Sequence, residues 1–396
     1  MKYKDLFNQY KQGLANDEEI RIIEQEIERH EAIEEFLSET MDEELDDSWN
    51  TSSFEYQKEE TSKLKKSVNN RLRKVVLTSV LIVVLLSIGI IYLVSPIIGS
   101  LYYNPNKISV GKLDNDISFD IYAISELNMP GMSPSTVLVD NQGFGKYNVM
   151  YSYSDVFTDE IYSVNKRIKR GRIESFNGDP ILKTNMFQDI KYPLDDKYIE
   201  NKKQNVINHL NELNPVSYVS LGITFQNDLS MDELYKLEQA YPEIEFEWAG
   251  IRTNTSNDKS TDLIGIQLIN SKKNNALLGD EKIAEKYPAL FMLDWLVNPV
   301  GRKNDNIAIE AQAYEHHYVS LLKYLIDRED AIGVLEYRSE KNEFYKSALE
   351  YAENQGIEVY GVLVFGEKRD LLEIVDNEII KGLDFNNALV SKRNVN

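Results

Sequence analysis

Hydrophobic residues fall into three regimes along this chain. Between Asp17 and Thr40 they lie at Ile20, Ile23, Ile27, Ala32, Ile33, Phe36 and Leu37, most of them related by steps of three and four, with glutamates between them. That spacing draws one apolar stripe along a helix of about twenty residues. From Val75 to Ile98 the chain reads VVLTSVLIVVLLSIGIIYLVSPII, without a charge. Beyond Leu101, runs with a period of two alternate with runs of helical period, which predicts a mixed α/β region.

The middle regime predicts a membrane span. About twenty apolar residues at roughly 1.5 Å each cross a hydrocarbon core, and a helix satisfies its own backbone groups there. A core helix of a soluble protein would show a polar face at this length. A cleaved signal is a poor fit, because a long polar segment precedes the run and no small-x-small site follows it. Lys63, Lys65, Lys66, Arg71, Arg73 and Lys74 stand ahead of the run, and the first cation behind it is Lys107. Positive flanks stay cytoplasmic, so residues 1–74 are expected inside and 101–396 outside, with Tyr92, Tyr102 and Tyr103 at the outer interface. Pro96 is where the helix can stop or bend.

The inner part divides at about residue 39. In MKYKDLFNQYKQGLAN, Leu6, Phe7 and Tyr10 have helical spacing, and Gly13 ends that piece. Asn16 is a helix start, since its side chain can accept from free N–H groups while Glu19 reaches back. Two short helices bury too little to be stable alone. The stripe is therefore covered by another protein, or the helices pack on each other or on a second copy. Residues 40–74 read as a linker, acidic and then basic, whose acidic stretch 40–60 serves as a spacer or offers Trp49, Phe54 and Tyr56 as a second contact.

In 101–396, Ile117–Ala123 alternates as a strand. Tyr147–Tyr153 and Ile161–Ile168 read as a hairpin turning at Thr158 and Asp159. Lys202–Leu213 is helical, Ser217–Phe225 a strand, Met231–Ala240 a helix capped by Ser230, and Ile244–Ile251 a strand. Helices follow at Tyr314–Arg328 and Asn342–Gln355, then a strand at Val359–Phe365 and a helix from Glu367 to about Asp376. The two strand-and-helix blocks read as distant copies, within one domain or two subdomains. The class is α+β, with a helical N-terminal segment, one transmembrane helix and a mixed outer domain.

The formal net charge of -21 argues against direct binding of nucleic acid. Two basic clusters stand out. The juxtamembrane one suits anionic lipid. The other, Lys166–Arg172 (KRIKRGR), is either a solvated strand end and turn or a contact for an anionic envelope polymer. No cysteine is present, which removes disulfides, thiolate metal sites and a cysteine nucleophile together. Gly143-Phe144-Gly145 is a tight turn rather than a phosphate loop. His316 and His317 are adjacent, so on a helix they point about 100° apart and do not chelate one metal. Ser-x-x-Lys occurs at Ser62/Lys65 and Ser163/Lys166 without the motifs that accompany it in acyl-enzymes. No catalytic residue, metal or cofactor is expected. The rival reading is a membrane-anchored envelope enzyme or binding protein.

Phe7, Tyr10, Lys11, Gly13, Glu18, Glu19, Ile27, Glu31, Ala32, Ile33 and Leu37, set before a basic strip and one span, resemble the amino-terminal domain of the sigma factor regulator family of bacterial membrane anti-sigma factors. The resemblance continues in Tyr102-Tyr103-Asn104-Pro105, in Gly143-Phe144-Gly145-x-Tyr147, and in VYGVLVFGEKRDLLEI at Val359–Ile374. The chain is similar more distantly to the zinc-binding anti-sigma domain, whose motif would fall near Glu26, His30 and Ile33; the thiolates are missing, so His30 reads as a surface or partner-facing residue. The resemblance implies that Leu6, Phe7, Tyr10, Ile20, Ile23, Ile27, His30, Ile33, Phe36 and Leu37 bind an extracytoplasmic-function sigma factor. It also implies an outer domain that takes an envelope signal from a ligand or a partner protein.

Overall fold

The computed structural model describes residues 10–11, 16–45, 54–111, 114–178, 186–192, 194–254, 262–268, 281–290, 307–336 and 340–391. They form two compact units, Met1–Ser87 and Ile88–Asn396.

The smaller unit is helical. Helix α1 spans Asp17–Leu45 and helix α2 begins at Phe54 and continues to Gly89. No glycine or proline interrupts the acidic stretch at 40–45 or 54–60, and both pieces are helical where the sequence suggested a linker. The larger unit opens at the end of α2 with a five-residue π-helical turn, Ile90–Val94, and helix α3, Ser95–Ser100. The π turn lies just ahead of Pro96, whose missing N–H leaves the preceding turn one hydrogen bond short.

The larger unit holds two antiparallel sheets. Strands β1 (Met132–Gly143), β2 (Lys146–Asp155), β3 (Ile161–Lys169) and β4 (Arg172–Asn177) form a meander in chain order. The expected hairpin is its centre, with Ser154 opposite Ile161 and Tyr147 opposite Ile168. The second sheet has the order β7-β6-β8-β5-β9, from β5 (Tyr218–Ser230), β6 (Glu245–Ile251), β7 (Ile264–Gln267), β8 (Glu358–Glu367) and β9 (Ile380–Leu389).

Because β5 and β6 both run antiparallel to the β8 between them, β5, the helix Met231–Ala240 and β6 make a split βαβ unit. The strands β8 and β9 flank β5 in the same way around the helix Lys368–Val375. Two interleaved split units are the ferredoxin-like arrangement. The two strand-and-helix blocks of the sequence thus occupy equivalent places in one sheet.

Ile117–Ala123 is helical, not a strand. It belongs to the helix Asp116–Asn128, where Ile117, Phe119, Asp120, Ile121, Ala123, Ile124 and Leu127 are all buried. A helix buried on every side carries no amphipathic signature, and its chance alternation imitated a strand. The indole of Trp248 on β6 donates to the Glu126 carbonyl at 2.9 Å, and the Gln267 amide on β7 donates to the Met132 carbonyl at 3.1 Å. These bonds fasten the helix and the start of β1 to the second sheet. Strand β8 is buried on both faces over its whole interior, as are β5 up to Phe225 and β6 from Phe246, and β8 accordingly reads as a near-continuous apolar run.

Candidate functional site

Helix α1 opens on a reciprocal cap. Asn16 Oδ1 accepts from the backbone N–H groups of Glu18 (3.1 Å) and Glu19 (3.0 Å), while the Asn16 N–H donates to Glu19 Oε2 at 3.0 Å. Asp17, Glu18 and Glu19 in the first turn also match the positive end of the helix dipole. The cap fixes where the apolar stripe begins.

Along the stripe, exposure changes sharply. Ile23 is 3% exposed and Tyr10, Ile20 and Ile27 are half-buried, whereas Ile33, Phe36 and Leu37 are 52%, 66% and 54% exposed. The first half of the stripe is thus covered and the second half faces solvent. His30 sits at the changeover, exposed and 3.9 Å from Glu34. Glu31, Glu34 and Glu35 flank the open end, Glu24, Glu26 and Glu28 lie along the half before it, and all six are exposed. Leu6 and Phe7 lie outside the described residues.

Lys63, Lys65, Lys66, Arg71, Arg73 and Lys74 project from α2, all exposed. They share one unbroken helix with the apolar run, and the stretch Lys63–Ser100 is long and apolar enough to cross a membrane, with none of its apolar window buried by the protein. Within it, Thr78 Oγ1 donates to the Lys74 carbonyl at 2.7 Å and Ser87 Oγ to the Val83 carbonyl at 2.8 Å. Such back-bonding satisfies hydroxyls inside the helix, as a hydrocarbon surrounding would require.

The larger unit buries a cluster of charged and phenolic groups. Arg328 makes two bonds to Asp120, Nε to Oδ1 at 2.8 Å and Nη2 to Oδ2 at 2.7 Å, and lies 3.4 Å from Asp116. Tyr103 and Tyr324 donate to Asp120 at 2.9 and 2.7 Å. Burial, reinforced by the Asp120 charge, raises both tyrosine pKa values. Burial would lower that of Arg328, but Asp120 outweighs it and holds it above its ordinary value. Asp116 in turn accepts from Ser109 and Val110. The cluster ties the segment after α3 to two helices and leaves no open acid/base pair.

His317 is buried, with Nε2 2.7 Å from Glu126 Oε1 and Nδ1 2.7 Å from the Ala289 carbonyl. His316 is exposed. The two histidines share no metal site, and no group of metal-binding side chains occurs among the described residues. Ser163 and Lys166, three apart on β3, lie on opposite faces: Ser163 is exposed, and Lys166 is buried with its ammonium on the Leu335 carbonyl. A strand cannot bring residues of odd spacing to one face, so that pair is no catalytic dyad.

Residues 210–387 match the family model described as sigma factor regulator C-terminal. The match begins at the end of the helix Asp196–Glu212 and closes in β9, so it takes in the whole five-stranded sheet. This part of the chain is therefore similar to the C-terminal domain of sigma factor regulators, which supports a place in that family. Val359–Ile374 lies within the match; the YYNP and GFGxY elements and the N-terminal helices precede it. No curated protein and no solved structure matches the chain.

Proposed function

We propose that this protein is a single-pass membrane anti-sigma factor. The match of residues 210–387 to the sigma factor regulator C-terminal model supports a role in regulating a sigma factor. The cytoplasmic helix α1 seats the open half of its stripe, Ile33, Phe36 and Leu37, in an apolar groove of an extracytoplasmic-function sigma factor. The surrounding glutamates oppose the basic surface with which such a factor meets DNA. The bound factor is held at the bilayer, and a signal at the extracytoplasmic domain releases it.

The observation that carries this reading is the exposure of three large apolar side chains within five positions of a glutamate-rich helix, a combination that a soluble surface does not need. The test is co-purification of a sigma factor with the full chain in detergent. Replacing Ile33→Asp and Phe36→Asp abolishes capture without disturbing the buried Ile23. Undiminished capture removes α1 from the mechanism. An envelope enzyme would instead leave transcription unchanged when deleted, whereas loss of this protein raises transcription of a small regulon.

A further inference from the structure

The basic segment at Lys166–Arg172 acquires a definite place in the fold. Lys146, Lys169 and Arg172 stand directly opposite one another in one row across β2, β3 and β4. Arg170 occupies the β3–β4 turn in the left-handed region, with φ of 51°. All four side chains are exposed. Like charges opposite one another on paired strands repel, so this row weakens the sheet that carries it. Lys169 meets Glu174 at 3.1 Å; among the described residues Lys146, Arg170 and Arg172 have no acidic partner.

The cations lie at one particular end of the sheet. The Phe144 N–H in the β1–β2 turn donates to Ser95 Oγ at 2.8 Å, and the Arg170 N–H donates to the Gly145 carbonyl at 2.7 Å. A methyl group on Gly99 would stand 3.3 Å from the Tyr147 hydroxyl, and one on Gly171 3.8 Å from Tyr102 Cβ. Both turns are thereby fastened to the end of the apolar helix. Around that end Ile97, Leu101 and Tyr102 are 61%, 71% and 41% exposed. The acids Asp155, Asp159 and Glu160 lie at the far turn of the same meander. Positive charge is therefore concentrated beside the helix, where Asp140 and Glu174 are the nearby acids of the same strands, and the far turn is acidic.

From this juxtaposition of a cationic cluster, in which only Lys169 has an acidic partner among the described residues, with the end of an apolar helix, we infer that the turn end of the β1–β4 meander rests on the outer leaflet, where Lys146, Lys169, Arg170 and Arg172 bind the phosphates of anionic lipid headgroups. The inference rests on reading Lys63–Ser100 as a span. A planar guanidinium pairs with phosphate through two N–H groups, and Tyr102 has the amphipathic ring that suits the interface. Attraction to a charged leaflet acts within a Debye length, about 8–10 Å at physiological salt, which only groups held close to the surface can use. The Ser95–Phe144 bond supplies that closeness.

The full chain has no cysteine, so Gln142→Cys, exposed on β1, accepts a single fluorophore. The labelled protein is placed in nanodiscs of phosphatidylcholine alone, or with one-third phosphatidylglycerol, each carrying a headgroup spin label as quencher. Quenching should be about twofold greater in the anionic discs and fall in high salt. That difference should vanish in Lys146→Gln/Arg172→Gln, and shrink in Arg170→Asn, which keeps a residue tolerant of the left-handed turn. Equal quenching in both discs, or a lipid difference that survives both variants, overturns the proposal alone. Capture of soluble polyglycerol phosphate without any response to phosphatidylglycerol overturns it in favour of an envelope polymer. A chain that inserts into neither disc overturns the span, and this proposal with it.

Discussion

Glu126 and His317 are 191 positions apart in the chain and meet at 2.7 Å, both 3% exposed at the side chain. The second ring nitrogen of His317 faces the Ala289 carbonyl, which can only accept. The pair therefore holds one proton between carboxylate and ring. Burial disfavours charge on the imidazole, but Glu126 and the Ala289 carbonyl outweigh it and raise the His317 pKa above 6.5.

A group whose pKa is higher in the folded state contributes stability that is complete below its unfolded value and is lost as pH rises through the folded one. The thermal midpoint of the larger unit should accordingly fall as pH increases from about 6.5. In His317→Gln that part of the slope should disappear. Unfolding curves at a series of pH values check this, and an unchanged slope in the variant would dissociate the effect from His317.

Arg328 and Asp120 are the second long-range pair. Removing the cation leaves Asp116 and Asp120, both fully buried, without a charge partner. Arg328→Met should cost about 3–5 kcal/mol, the range for breaking a buried pair. A shift of the urea midpoint no larger than that of an exposed substitution such as Lys323→Met would contradict it.

Gly265 on β7 has no room for a side chain. A methyl group there would run into the Ala249 carbonyl oxygen and the Trp248 ring. Since backbone must move to admit it, Gly265→Ala should destabilise the larger unit by about 1–3 kcal/mol. Gly333→Ala, with nothing within 4 Å, should not, and the two midpoints compared in one denaturant series decide it.

The cap of α1 offers a graded test. Asn16→Ala removes two hydrogen bonds from the first turn and should cost the helix about 1 kcal/mol. Helicity by circular dichroism should fall modestly, and capture of the sigma factor should weaken without being lost. Complete loss would mean that Asn16 itself touches the partner.

What the sequence disclosed follows from the range of the interactions involved. The Asn16 cap, the Ser230 capping box and the hairpin from Tyr147 to Ile168 are set by neighbours a few residues apart, and local pattern displays them. The helix Asp116–Asn128 imitates a strand in its sequence because its environment comes from both sheets, which no window of its own residues contains. Arg328 and Asp120, 208 positions apart, gave no sign of each other. The stripe of α1 was visible as a stripe, but only the structure divides it into a covered half at Ile23 and an open half at Ile33–Leu37. Lys146, Lys169 and Arg172 became a row only when the strand register aligned them.

Holding a sigma factor at the membrane under an outside signal requires α1 and the sheets to stand on opposite sides of a bilayer. A protein without cysteine allows that to be read directly: Ser67→Cys on α2 and Ser175→Cys on β4 are both exposed. A membrane-impermeant maleimide applied to intact cells should label Ser175→Cys fully and reach Ser67→Cys only after lysis. Labelling of Ser67→Cys from outside, or of neither position until lysis, would contradict it.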